Sequence, residues 1–213
     1  MKLQAGSIYR SNNYGNFVIV EDRGCSKVDI RFAKTGCAAT TQRSHILRGR
    51  VKDPLCPSVC GVGFTGAGRH KANIGGKNTK PYAVWHSMLE RCYSAKRQTK
   101  YPAYKNCTVD PEWHDFQSFA DWFEDNYAEG LHLDKDIRVP GNKVYSPGTC
   151  LFVTSAANTI EAHAKKYKLR SPDGNVVEIY NMSEFARDTD LHQSALSAVH
   201  SGKIGHHKGW TRA

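Results

Sequence analysis

The apolar period of this chain changes along its length, and that limits what it can fold into. Val28, Ile30 and Phe32 alternate with Asp29, Arg31 and Ala33, the period-two pattern of a half-buried strand ending at Thr35-Gly36. Tyr82, Trp85, Met88, Leu89 and Cys92 instead recur at helical spacing, and Pro81 can open that helix because a missing N–H costs nothing in the first turn. A second helical stripe, Phe116, Phe119, Phe123 and Tyr127, runs from about Asp115 and stops near Gly130. Strand-length segments then return: residues 131–137 and 149–153, a helix over 155–166, and a hairpin of 167–169 with 176–179 about Pro172-Asp173-Gly174. One sheet or one bundle cannot absorb this alternation, so the expected fold is α+β, built from small modules. The divisions are a β-rich module over 1–53, a connector over 54–80, a helical lead-in to a ββα unit over 81–167, and a C-terminal module over 168–213.

The first module carries ten Lys/Arg against four acids. Between residues 61 and 80 there are six glycines, four Lys/Arg and no acid, a composition that reads as a flexible basic linker or a contact tracking a DNA backbone, the linker being the safer reading. Gly61-Val62-Gly63-Phe64-Thr65-Gly66 spells a dinucleotide fingerprint, but no helix is expected to follow it and no acidic residue sits suitably on a second strand.

Charge narrows the partners. Lys and Arg outnumber Asp and Glu by 30 to 20, a formal charge of +10, which favours a polyanion because neutralising phosphates releases counterions. A membrane is not the expected polyanion: the sequence has no bilayer-length apolar run, amphipathic basic helix, lipidation motif or secretory signal. Seven scattered cysteines make no disulfide framework and suit a reducing cytoplasm. Cys56 and Cys60 have no second pair nearby, and Cys92, Cys107 and Cys150 stand apart. Buried apolar thiols are therefore expected rather than a structural Zn2+ site.

The most informative stretch is Leu133-Asp134-Lys135-Asp136-Ile137, Gly141-Asn142-Lys143-Val144-Tyr145-Ser146-Pro147, Cys150-Leu151-Phe152-Val153 and Asn158. A ββα unit can hold a divalent ion between the end of its first strand and its helix, and Asp134 and Asn158 offer hard oxygen ligands at those two places. Taken singly, each residue is as well explained by a Gly-Asn hairpin and a solvated helix; the joint order carries the signal. These residues resemble the HNH, or ββα-metal, nuclease superfamily, in the branch reading Asp-Arg, Tyr-Ser-Pro, Asn that includes phage proteins. The resemblance extends over about residues 82–166 through Trp85-His86-Ser87-Met88-Leu89-Glu90-Arg91-Cys92-Tyr93 and Val109-Asp110-Pro111-Glu112-Trp113. It implies an endonuclease acting with Mg2+ (or Mn2+) on double-stranded DNA, in a bacterial cytoplasm if phage-encoded. Asp134 and Asn158 would be metal ligands, Lys135 would stand where the family has Arg or His, and Tyr145 would contact the scissile phosphate or water. A lysine of ordinary pKa about 10.4 is a poor base. Lys135 would then stabilise charge while Tyr145 or a second water acts as base, and His132 and His163 flank the unit as substitutes for the missing histidine. One metal site per chain predicts one strand cut per monomer, with double-strand breaks through a homodimer or two events.

At the C-terminus, residues 181–203 have a helix-turn-helix pattern, with Ser183 as the first cap, Leu191 in the turn, and Ala195, Leu196 and Val199 on the buried face of the second helix. His192, Gln193 and Ser194 offer short polar groups suited to base edges, and Arg187, Lys203, His206, His207 and Lys208 add further DNA contacts. The segment 168–211 resembles the nuclease-associated modular DNA-binding repeat; a two-helix protein-interaction module is the bland alternative. Two rival functions stand beside the nuclease: a non-catalytic DNA-binding regulator on a degenerate HNH core, and an RNA-binding protein.

Overall fold

The computed structural model describes residues 2–139, 141–163 and 165–213, with the side chains of 160–163 outside that description. The fold is α+β. Strands β1 (Ile8–Ser11), β2 (Gly15–Gly24), β3 (Lys27–Phe32) and β4 (Ala38–Gln42) make an antiparallel meander in chain order, followed by helix α1 (Arg43–Leu47). The period-two residues share one face: Phe17 lies opposite Phe32 and Ile19 opposite Ile30, and Ile46 of α1 joins the same core.

Asp22 ties this module together. Its carboxylate accepts from the Arg43 guanidinium at 2.8 Å and from the Leu3 amide at 2.7 Å. The Arg43 hydrogen bond, with the Leu3 amide second, holds the carboxyl far below the usual carboxylate range. A depressed carboxyl stabilises the fold above its unfolded pKa of about 3.9, and the contribution fades as pH falls toward the folded value. The stability gap between wild type and Asp22→Asn should therefore be widest near neutral pH and shrink by about pH 3. Thermal melts at the two pH values check this, and an unchanging gap would show that the charge is not what Asp22 contributes.

The glycine-rich connector is not a free linker. Hairpin β5 (Asn73–Ile74) and β6 (Lys77–Asn78) turns at Gly75-Gly76, Val59 bridges to Gly63, and Phe64 bridges to Asp115. Gln117 donates to the carbonyls of Thr65 and His70 at 2.8 and 3.1 Å and accepts from the His70 amide at 2.9 Å. Gly63 lies so close to Trp85 and Leu89 that a Cβ would collide with both. Here glycine serves close approach rather than flexibility.

Helix α2 (Lys80–Tyr93) carries the expected apolar face, with Trp85, Met88 and Leu89 fully buried. Helix α3 (Ala95–Lys100) and a 3-10 turn at Pro102–Tyr104 lead to β7 (Thr108–Val109) and a second 3-10 turn, Pro111–His114. Helix α4 (Phe116–Asn126) is capped by the Asp115 side chain, which accepts from the Gln117 amide, and buries Phe116, Phe119, Ala120 and Phe123. Next come β8 (His132–Asp134), β9 (Val144–Tyr145), β10 (Leu151–Val153) and α5 (Ser155–His163). The first strand is shorter than the expected 131–137 because Asp134 Oδ1 accepts from the amides of Asp136 and Ile137, both at 2.8 Å, and turns the chain. The helix expected to reach Lys166 ends earlier, and Lys166 instead opens a strand.

The C-terminal part contains β11 (Lys166–Arg170), β12 (Val176–Tyr180), α6 (Met182–Asp188), α7 (Gln193–His200), β13 (His206–His207) and β14 (Trp210–Arg212). The tail pairs onto the hairpin, giving one antiparallel sheet of order β12-β11-β14-β13. Asn181, not Ser183, caps α6: it takes the left-handed conformation (φ 67°) that Asn tolerates, and its side chain accepts from the Glu184 amide. Three apolar cores result, around Phe17 and Phe32, around Trp85 and Phe116, and around Leu169 and Leu196. Among the described residues no helix is long and apolar enough to cross a membrane.

Candidate functional site

Four separated elements frame one cavity of about 520 Å³ in the central part of the chain. Strand β8 pairs antiparallel with β10, setting Asp134 opposite Leu151, while β9 pairs in parallel with β7 and sets Tyr145 opposite Val109. Helix α5 supplies Asn158 and helix α2 supplies Arg91. All five residues singled out as catalytic or metal-binding, His132, Asp134, Lys135, Tyr145 and Asn158, line this cavity, joined by Arg91, Tyr104, Asp136 and Lys143.

Asp134 is 7% exposed, and its two oxygens have different tasks. Oδ1 is held by the two backbone amides described above, whereas Oδ2 has no hydrogen-bond partner among the described residues. The Asn158 side-chain amide likewise has none. Two hard oxygen donors in one cavity, one fixed in place by the backbone behind it, fit the chemistry of Mg2+ or Mn2+.

Lys135 is buried, and its ammonium donates to the Asp136 carboxylate at 2.6 Å and to the Asn142 carbonyl at 2.7 Å. Asn142 returns the contact, donating from Nδ2 to the carbonyls of Lys135 and Val144 at 3.1 and 2.6 Å. Lys135 thus braces the bend between β8 and β9. Its Nζ also lies 5.8 Å from the centre of the Tyr145 ring.

Tyr145 is 2% exposed, and burial pushes its phenol well above the ordinary value despite the opposing pull of Arg91. A phenol held protonated can donate a hydrogen bond but is a poor proton acceptor. His132, at the start of β8, is exposed at the cavity rim. The side chain of His163, the other histidine considered, lies outside the described residues.

Arg91 escaped the sequence reading. Its guanidinium lies 5.5 Å from the centre of the Tyr104 ring and lines the same cavity as Tyr145. The available signal was positional: Arg91 stands three residues after the fully buried Met88, so the helix turns it toward the interior. Lys143, also missed, reaches back to the Ala103 carbonyl at 3.2 Å.

Cys92, Cys107 and Cys150 are buried in the same central core. Burial drives the Cys92 thiol up to about 12 and the Cys150 thiol to about 11. Elsewhere, His70, Asp121 and Glu124 cluster on the connector and α4, but Arg69 already bonds both carboxylates at 2.7 Å, making the group a clamp.

In the C-terminal part, His192 precedes α7, and His192, Gln193 and Ser194 are all exposed at its start. Leu196 and Val199 are fully buried. Arg187, Lys203 and His206 are exposed. His207 differs from its neighbours: it is half-buried in β13, its Nε2 is enclosed without a partner among the described residues, and its ring lies 6.0 Å from that of His192. Lys208 is exposed but spends its ammonium on the Asp190 carbonyl at 2.9 Å.

No family model and no curated protein matches the chain. Among solved structures the chain is similar to the HNH homing endonuclease I-HmuI, described for its DNA binding and cleavage, at 13% identity over 96% of this chain and 95% of that one, with a TM-score of only 0.23.

Proposed function

We propose that the chain is a metal-dependent HNH-type endonuclease that hydrolyses phosphodiester bonds in double-stranded DNA. The observation that carries this reading is the shared cavity in which Asp134 Oδ2 and the Asn158 amide, both without protein partners among the described residues, face the cations Arg91 and Lys143. Mg2+ or Mn2+ held by Asp134 and Asn158 would supply charge neutralisation at the scissile phosphate and the leaving oxygen.

The chain's own groups divide the remaining work. His132 takes a proton from a water as the water oxygen bonds to phosphorus, the ester bond to the leaving sugar oxygen breaks, and that oxygen is protonated from solvent. Tyr145 donates its O–H into the cavity, and Lys135 holds the bend that aims Asp134. The start of α7, with His192, Gln193 and Ser194, reads base edges, while Arg187, Lys203, His206 and Lys208 follow the backbone. His207 supports them from beneath. The three cores are assigned to an N-terminal module, the nuclease unit and the DNA-reading module, and a homodimer would cut both strands.

The direct test is relaxation of supercoiled plasmid with Mg2+ or Mn2+, stopped by a chelator. His132→Ala should slow nicking by about a hundredfold or more, the effect of losing a general base. Protein that binds duplex DNA yet never nicks it, whichever divalent ion is supplied, would instead be a DNA-binding protein on a disused nuclease core.

A further inference from the structure

Arg91 poses a problem of charge. It is a largely enclosed guanidinium, yet among the described residues no carboxylate lies within ion-pair distance of it; its neighbours are the Tyr145 hydroxyl and the Tyr104 ring. Removing a cation from water without an anion is costly, and an aromatic face and a neutral hydroxyl repay only part of it. The cavity it lines already holds Asp136, but Lys135 neutralises that carboxylate at 2.6 Å. Arg91 and Lys143 are then left against the single charge of Asp134, an excess of positive charge before any metal binds.

We infer that Arg91 is the cavity's phosphate receptor, gripping non-bridging oxygens of the DNA phosphodiester with its guanidinium while the Tyr145 O–H donates beside it. A guanidinium presents a planar fork of donors matched to phosphate oxygens, and the Tyr104 ring against it helps to hold that fork before the substrate arrives. Asp134 and Asn158 lie in the same cavity, so a phosphate seated on Arg91 would present its remaining oxygens to the proposed metal ligands. The identity of that phosphate as the scissile one rests on the nuclease reading; the contact itself does not.

Two measurements on the full chain separate these claims. Duplex binding in chelator, followed against salt, reads phosphate contacts without cleavage. Arg91→Met should lower the slope of log affinity against log salt by about 1, the loss of one phosphate contact. Nicking with Mg2+ should fall by about a hundredfold to a thousandfold in the same variant, as for loss of one preorganised donor to a reacting oxygen. Arg91→Lys keeps the charge but not the fork, so it should retain the salt slope and nick at an intermediate rate. Wild-type slope and rate in Arg91→Met would overturn the assignment. Should that variant fail to fold, a wild-type nicking rate in Arg91→Lys would overturn it instead. If wild-type protein never nicks, the nuclease reading fails, while the slope difference still reports whether Arg91 holds a phosphate.

Discussion

Replacing Asp134 with Asn is expected to cut the nicking rate by about a thousandfold while leaving the fold and duplex binding in place. The two Asp134 oxygens explain why the effects separate. Oδ1 accepts from the Asp136 and Ile137 amides, and an Asn carbonyl oxygen can accept from the same two donors, so the turn after β8 persists. What changes is Oδ2, which loses its charge and its capacity to hold a hard cation against water. Metal-assisted stabilisation of a phosphoryl transition state is worth several kcal/mol, and each ~1.4 kcal/mol is a factor of ten in rate, which sets the size of the loss. Asp134→Ala is the cruder experiment, because it removes the turn acceptor as well and mixes a local folding defect into the rate. Initial rates of plasmid nicking, taken with thermal melts of the same samples, check the claim. A variant with wild-type melting that nicks within tenfold of wild type would mean that Oδ2 holds no catalytic ion.

Much of this cavity was legible in the sequence because the two side chains proposed as oxygen ligands sit on a local unit. Asp134 ends one strand of a hairpin and Asn158 lies in the helix that follows it, so strand and helix periods suffice to bring them near each other. Arg91 and Tyr104 come from upstream elements, and no periodicity reports which distant helix a ββα unit will pack against. The parallel pairing of β7 with β9 is equally non-local: two residues on each side, Thr108 with Val144 and Val109 with Tyr145, are too few to leave a pattern. The connector was misread for a different reason. Its glycines signal backbone freedom, but at Gly63 the missing Cβ is what lets Trp85 and Leu89 approach, a fact visible only once α2 is in place. At the C-terminus the buried face of α7 followed helical spacing, while the short strands β13 and β14 depend on an edge offered by β11, about forty residues earlier.

The second large effect lies away from the chemistry. Trp85→Ala should destabilise the central core by about 3–5 kcal/mol, the usual cost of emptying a large aromatic site. Trp85 is fully buried, its ring packs 5.5 Å from Phe116 and against Gly63, and its Nε1 donates to the Trp113 carbonyl at 2.7 Å. Alanine therefore leaves both a void and an unpaired buried acceptor. Trp85→Phe refills most of the void but still lacks the donor, so it should cost about 1–3 kcal/mol. Against a typical domain stability of about 5–15 kcal/mol, the alanine variant would be only marginally folded at physiological temperature. Arg91 lies on the same helix six residues later, so loss of α2 would remove the cavity's guanidinium along with the core. Urea melts followed by tryptophan fluorescence suit this test. Trp113 and Trp122 remain in the central core and Trp210 packs against the C-terminal one, whereas residues 1–53 contain no tryptophan and stay silent. A loss of under about 1 kcal/mol in Trp85→Ala would show that the connector, α2 and α4 are not held together through this side chain.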